Sequence, residues 1–381
     1  MSISNKELLS RGVEEVINKT DLQKQLKSGK KIRVKLGIDP TAPDLHLGHM
    51  VVLRKLSQFQ DAGHKVVLII GDFTAMIGDP TDRAGARESL TSAQVKKNKK
   101  HYLEQAGKIL NLKKVEIKYN SQWFKKLGFN KLLDLMASFT VQQLTEREDF
   151  SKRIKEGKPV SYHELMYPIM QAYDSVIIKA DLEIGGRDQR LNILAGRNLM
   201  NKMSMKPQNV LFLPLIEGTD GVRKMSKSFG NYIGINDNPN DMFGKIMSIP
   251  DKLMPIYFET LTDLKTPKSK DYRKNKLLLA RTIVTDLHNK KLAQKAEDYF
   301  IKVFSRKERP SDIIKLSIKN KKMSLVDLLV KAGVKSKSEA RRLIKQGGIR
   351  VDDEVCKEYD AKILINKGMT LQIGKRKFFE L

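Results

Sequence analysis

Between positions 32 and 70 the spacing of hydrophobic and polar residues changes twice, which predicts a strand, a helix and a second strand. Ile32-Arg33-Val34-Lys35-Leu36-Gly37-Ile38 alternates with the two-residue period of a strand. Asp39-Pro40-Thr41-Ala42-Pro43-Asp44 is too rich in proline and aspartate to continue either regular structure, and predicts a turn. Leu45-His46-Leu47-Gly48-His49 then opens a helical pattern carried by Val52, Leu53, Leu56 and Phe59 and closed by Gly63. Residues 66–70 form an unbroken apolar run, as expected of a buried parallel strand. His46 and His49 stand three apart, on one face of the predicted helix, with Gly48 between them leaving room for a ligand near the backbone. Free N–H groups and the macrodipole at a helix N-terminus favour an anion, and two imidazole donors there suit a triphosphate.

The same reading extends along the chain. Residues 4–19 and 21–27 predict short polar helices that cover a sheet edge. Residues 71–81 leave the second strand as a glycine-punctuated loop at its carboxyl end, where open parallel sheets bind ligands. Arg83 and Arg87 follow as candidate phosphate clamps. A helix over 91–110 and a strand over 115–119 come next. The helical pattern of 127–154 predicts an insertion between two halves of the sheet and a surface for self-association. Residues 162–179 predict a helix with Pro168 in its first turn. Its Tyr167, Gln171 and Asp174 share one stripe, a phenol, an amide and a carboxylate suited to holding a small polar molecule. At 182–189 a short strand meets Gly185-Gly186 and then a helix, with Asp188 placed to accept from a ribose. After a strand at 210–213 and a flexible turn at 217–221 comes Lys224-Met225-Ser226-Lys227-Ser228, with Gly230 behind it. Two lysines on such a loop can swing onto phosphates and neutralise developing charge.

Composition narrows the class. The 381 residues leave room for two or three domains, and no apolar run approaches membrane-spanning length. The first 19 residues lack the apolar centre of a signal peptide. The single cysteine, Cys356, excludes an intramolecular disulfide framework and is expected to be a small buried residue. A cytoplasmic chain is expected. The formal charge of +28, from 72 Lys+Arg against 44 Asp+Glu, favours a polyanionic partner.

A His-x-Gly-His after the first strand, followed by Lys-Met-Ser-Lys-Ser after the last, resembles the two signatures of class I aminoacyl-tRNA synthetases. Asp39-Pro40-Thr41, Gly78-Asp79-Pro80, the Tyr167/Gln171/Asp174 stripe and Gly185-Gly186-Arg187-Asp188-Gln189 look like the tyrosyl-tRNA synthetase family of bacterial type. The resemblance implies an α/β fold, with a Rossmann-like parallel-sheet catalytic domain carrying a helical insertion over residues 1–235. It implies activation of tyrosine by ATP with Mg2+, transfer to tRNA(Tyr), a homodimer, and no tightly bound protein metal site. His46, His49, Lys224 and Lys227 would be catalytic. Thr41, Gly48, Arg83, Arg87, Gly186, Asp188 and Met225 would join them around ATP. Asp79, Tyr167 and Gln171 would hold the amino end of L-tyrosine, Asp174 its hydroxyl and Gln189 its carboxyl region, with Asp39 also in the tyrosine site. Lys35 stands where one branch of the family has a tyrosine touching that hydroxyl, and Arg187 where a small hydroxyl residue is usual. A tryptophanyl enzyme shares both signatures, but Asp174 and the terminal module argue for tyrosine. Intact His46, His49, Lys224 and Lys227 argue against an RNA-binding protein without catalysis.

Residues 236–322 predict amphipathic helices broken at Pro250 and Pro267, then a basic linker, expected to pack against RNA. Residues 323–381 resemble the small α+β RNA-binding module shared with a ribosomal small-subunit protein. Its expected RNA contacts are Lys335, Lys337, Arg341, Arg342 and Lys345.

Overall fold

The structure, a computed structural model, describes residues 3–78, 90–305, 314–316, 318, 322–352, 354–359, 361–366, 368–374 and 377–381. They pack into two compact units, one of residues 1–238 with 245–290 and one of residues 239–244 with 291–381.

The first unit is built on β1 (Glu15–Ile17), β2 (Arg33–Ile38), β3 (Lys65–Ile70), β4 (Val115–Tyr119), β5 (Leu182–Gly186) and β6 (Asn209–Leu213). They form one sheet in the order β1-β6-β5-β2-β3-β4. The apolar runs of β3 and β6 are buried, as two-sided coverage of a parallel sheet requires. The chain moves from β2 outward through β3 to β4, then returns to the other side of β2 for β5 and β6. The order therefore reverses between β2 and β5, a switch point that opens a crevice at the strands' carboxyl ends. Pairing there is limited to Val34–Leu182 and Lys35–Glu183, whereas β2 and β3 pair from Arg33–Lys65 to Ile38–Ile70.

Two local expectations change. Residues 4–19 are not one helix: Asn5–Leu8 is helical, the next helix begins only at Lys19, and between them β1 lies antiparallel on β6 with Val16 opposite Leu211. The edge is covered, but by a strand, because the exposed N–H and C=O groups of β6 need backbone partners. Pro168 is not in the first turn of its helix, which runs Tyr162–Ile178 with Pro168 inside it. The start is set upstream by Ser161 and Glu164, which form a capping box, and Glu164 is further held by Arg153.

The turn at 39–44 is fastened by the helix Ser92–Ala106. Gln105 is fully buried; its Oε1 accepts from the Leu45 N–H at 2.7 Å and its Nε2 donates to the Pro43 carbonyl at 3.0 Å. Asn98 donates to the Pro40 carbonyl at 3.0 Å.

In the second unit, helices Leu325–Lys331 and Lys337–Lys345 start at Ser324 and Ser336, whose hydroxyls accept from backbone N–H groups. They pack on a small sheet in which Thr370–Ile373 pairs antiparallel with Lys377–Glu380 and with Ile349–Val351. Leu325, Leu328, Leu329, Ala340, Ile344, Ile349 and Leu371 form the core. Cys356 is half-buried at its margin rather than enclosed, because it follows the short edge strand Glu354–Val355. Arg309 and Pro310 lie outside the described residues.

Gln105→Ala is expected to lower the free energy of unfolding by about 1–3 kcal/mol, since it leaves the Leu45 N–H buried without its partner. Urea denaturation measures this, and a loss below 0.5 kcal/mol would mean the turn is fastened elsewhere.

Candidate active site

The two sequence signatures meet because the segment after the lysine loop pairs with the segment that carries the histidines. The Leu47 N–H donates to the Ile233 carbonyl at 2.9 Å, and the Ile235 N–H donates to the Leu45 carbonyl at 3.0 Å. Asn231, almost fully buried, staples the loop itself. Its Oδ1 accepts from the Ser226 N–H at 2.8 Å, and its Nδ2 reaches the Lys224 carbonyl at 3.1 Å. Lys224 Nζ lies 3.3 Å from Asp188, and Lys227 Nζ lies 3.8 Å from Asp44.

His46 is the N-cap of the helix Leu47–Asp61, not a residue within it. Its Nδ1 accepts from the Gly48 N–H at 3.1 Å, while His49 Nδ1 accepts from the His46 N–H at 3.3 Å. The helix N-terminus therefore does not offer these two N–H groups to an anion, because the imidazoles have taken them. With both Nδ1 atoms accepting, hydrogen bonding assigns each proton to Nε2, which becomes the available donor. Burial, helped by the neighbouring lysines, lowers His46 to a pKa of about 2 and His49 to about 4. Both rings are thus neutral near pH 7. Gly48 has a second reason to be glycine: a Cβ there would lie 2.9 Å from the His46 ring.

The stripe on the helix Tyr162–Ile178 faces the crevice. Tyr167 Oη donates to Asp39 Oδ2 at 2.9 Å, and Thr74 Oγ1 donates to Asp39 Oδ1 at 2.8 Å. Thr74 in turn accepts from Asn120 Nδ2 at 3.0 Å, and the same amide lies 3.3 Å from Asp174 Oδ2. Trp123 Nε1 donates to Asp174 Oδ1 at 2.9 Å. One connected network thus fixes both carboxylates. Gln171 Oε1 is buried with no partner among the described residues. Burial raises Asp174 to a pKa of about 7, against the opposing pull of Lys35, Trp123 and Asn120.

His46, His49, Asp39, Thr74, Tyr167, Gln171, Asp174 and Lys224 line one cavity of about 370 Å³, together with Thr41, Gly48, Gly186, Asp188, Gln189 and Met225, whereas Lys227 is not among its lining residues. The Gln189 side chain is oriented by Asn192, which donates to its Oε1 at 2.9 Å. Arg187 turns outward to Glu14. Asp79, Arg83 and Arg87 lie outside the described residues. Asn120, Trp123 and Thr74 were not singled out from the sequence. The one available signal was position, since Asn120 directly follows β4 at the carboxyl end of a parallel strand. Lys35 sits at the cavity floor, 1% exposed, and is paired with Glu183 at 2.9 Å.

In the second unit Arg341, Arg342 and Lys345 are exposed, and Arg341 and Lys345 flank the ring of Tyr359 at 6.0 and 5.9 Å. Lys335 is exposed as well, while Lys337 is engaged with Asp327 at 2.8 Å.

Residues 27–305 match the family model of tRNA synthetases class I (W and Y), and residues 323–366 match that of the S4 domain. The tyrosine–tRNA ligase of Aquifex aeolicus is 49% identical over 381 residues, covering 98% of this chain and 97% of that one. The tyrosine–tRNA ligase of Thermotoga maritima is 45% identical over 386 residues, covering 98% and 96%. In three dimensions the fold is similar to a C-terminally truncated mitochondrial tyrosyl-tRNA synthetase of Aspergillus nidulans, at a TM-score of 0.67 and 22% identity, covering 78% of this chain and 93% of that one. With the class I model matched over most of its length and these relatives alike nearly end to end, the chain belongs to the class I tRNA synthetases, in the tyrosine–tRNA ligase family.

Proposed function

We propose that the crevice between β2 and β5 joins L-tyrosine to ATP as tyrosyl-adenylate, and that the enzyme then transfers tyrosine to the 3′ end of tRNA(Tyr). The observation that carries this reading is one cavity lined by the His46/His49 cap, by Lys224, Met225 and Ser226 of the lysine loop and by the buried Asp174. The substrate ammonium meets Asp39, Tyr167 and the unsatisfied Gln171 oxygen, with Asp79 assigned beside them, and Gln189 faces the carboxyl end. The phenolic hydroxyl donates to Asp174. Phenylalanine cannot supply that hydrogen bond to the buried carboxylate, which is the basis of selection.

The tyrosine carboxylate attacks the α-phosphate of ATP and pyrophosphate departs. A terminal ribose hydroxyl of tRNA then attacks the adenylate. No side chain acts as nucleophile, so catalysis is positioning plus charge stabilisation. The neutral imidazoles donate through Nε2, while Lys224 and Lys227 supply positive charge to the departing pyrophosphate. Thr41, Arg83 and Arg87 are assigned to the phosphates, and Asp188 with Gly186 to the ribose. Mg2+ is assigned to the ATP phosphates. No helix among the described residues is long and apolar enough to cross a membrane. The exposed Phe129, Leu133, Met136 and Val141 of the insertion support a homodimer, and the cytoplasm is the expected compartment. The scheme of a catalytic region to 235, a helical region to 322 and a terminal RNA-binding module is retained as part of this proposal.

Asp174 accepts the hydroxyl proton only when ionised. Because its free-state pKa is raised to about 7, tyrosine affinity is expected to fall as pH drops through 7, by up to tenfold per unit. The two histidines are already neutral across that window. Asp174→Asn should remove the dependence, and Asp174→Ala should cost roughly 2–4 kcal/mol of discrimination between tyrosine and phenylalanine. Equilibrium binding from pH 5.5 to 8.5, with kcat/KM for both amino acids, reads both effects; a flat profile would remove Asp174 from phenol recognition.

Lys227→Ala is expected to slow adenylate formation roughly 10²–10³-fold while tyrosine affinity without ATP barely changes. Single-turnover chemistry and equilibrium dialysis separate the two. Alanine at Arg341, Arg342 and Lys345 together should leave pyrophosphate exchange intact. It should weaken tRNA binding and flatten its logarithmic salt dependence by about 0.7–0.9 per lost contact. An unchanged slope would make that face ordinary solvated surface.

A further inference from the structure

In the second unit an open cleft of about 730 Å³ is lined by Ser338, Arg341, Arg342, Lys345, Gln346 and Tyr359. The first five come from the helix Lys337–Lys345 and its C-cap, whereas Tyr359 comes from the loop after Glu354–Val355. Tyr359 is 45% exposed and stands outside the apolar core of the unit. Its loop is nevertheless anchored by backbone on both sides. The Cys356 N–H donates to the Ile349 carbonyl at 3.0 Å, and the Leu325 N–H donates to the Ala361 carbonyl at 2.9 Å.

Arg341 and Lys345 stand one helical turn apart on one face, and both approach the Tyr359 ring, at 6.0 and 5.9 Å from its centre. Both belong to one helix, so they approach from the helix side, and the exposed part of the ring borders the cleft. Contacts of that length at an exposed position add little to stability. Neither cation has an ion pair among the described residues, whereas Arg342 lies 3.9 Å from Glu339 and Lys337 lies 2.8 Å from Asp327. The cleft thus combines uncompensated positive charge with an accessible aromatic face.

Contact with phosphates alone needs only the cations and gives the ring no part to play. An aromatic face beside cations that follow a nucleic-acid backbone is the arrangement that holds an unstacked base. Bases inside an A-form helix are covered by their neighbours, whereas a nucleotide in a loop, a bulge or a free end can offer its face. We propose that Tyr359 is a stacking platform for one unpaired nucleotide of the tRNA. Arg341 and Lys345 take the phosphates that flank it, and Ser338 and Gln346 meet polar edges within the cleft. The terminal module then recognises a single-stranded feature of the RNA rather than duplex backbone alone. This inference rests on the reading that the chain charges tRNA.

The test measures binding of the full-length protein to a tRNA(Tyr) transcript and to a blunt RNA duplex of similar length, across a series of salt concentrations. Tyr359→Leu is expected to weaken tRNA binding roughly 5- to 100-fold, the worth of one stacked base. The slope of log Kd against log salt should stay unchanged, because no charge has been removed. Tyr359→Phe keeps the ring and should bind tRNA like the unaltered protein, while duplex binding should be the same for all. Tyr359→Gln serves as a second ring-free variant, and circular dichroism verifies the fold of each preparation. Unchanged tRNA affinity in the ring-free variants, an equal loss on the duplex, or a flattened slope would overturn the proposal, since the ring would then be surface or a prop for the cations. Absence of tRNA binding by the unaltered protein would instead overturn the proposed function, and this inference with it.

Discussion

Asp174 sits at the floor of the cavity with almost no contact with water, and much of the catalytic unit is arranged so that a carboxyl group can be there. Burial alone drives such a group toward its neutral form. Trp123 and Asn120 counter this by donating to its two oxygens, and Lys35 counters it by charge. Asn120 then ties the site to Thr74, and through it to Asp39 and Tyr167. The groups assigned to the two ends of the substrate therefore belong to one network, and a shift at one end is transmitted to the other.

The sheet order makes that network possible. β2 and β5 pair over only two positions before the two halves of the sheet part. Above the last pair, glycines at 37, 71 and 185 occupy positions facing the cavity. At Gly71 the requirement is steric in the strict sense, since a Cβ would lie 1.9 Å from Asp39 Oδ1. The crevice is thus walled by backbone above and floored by ions below.

Around the nucleotide side, charge and direction are divided between different residues. The imidazoles of His46 and His49 are held neutral by burial and cap the helix with their Nδ1 atoms. They retain one oriented donor each. Positive charge comes from Lys224 and Lys227, each lying beside a carboxylate, Asp188 and Asp44 respectively. A cation beside an oriented neutral donor suits a reaction in which negative charge appears on a leaving group.

Periodicity alone located β2 to β6, because alternating or unbroken apolar runs are a local consequence of burial. Spacing within one element put the histidine pair, the lysine pair and the Tyr167/Gln171/Asp174 stripe each on one face or loop, and it was the resemblance of the motifs taken together that gave them roles. Residues 15–17 form a strand where the local pattern predicts helix, because their pairing with β6 involves a segment nearly 200 positions away, which no local pattern reports. Pro168 was placed in a first turn because the capping pair Ser161–Glu164 competes for that start. Asn120, Trp123 and Gln105 carry no motif; they act through partners 46 to 62 positions distant, and only the folded sheet brings those together. The Lys35–Glu183 pair is the clearest instance. In the sequence Lys35 occupies an ordinary polar position of an alternating strand, and only the pairing of β2 with β5 turns it into a buried cation at the site.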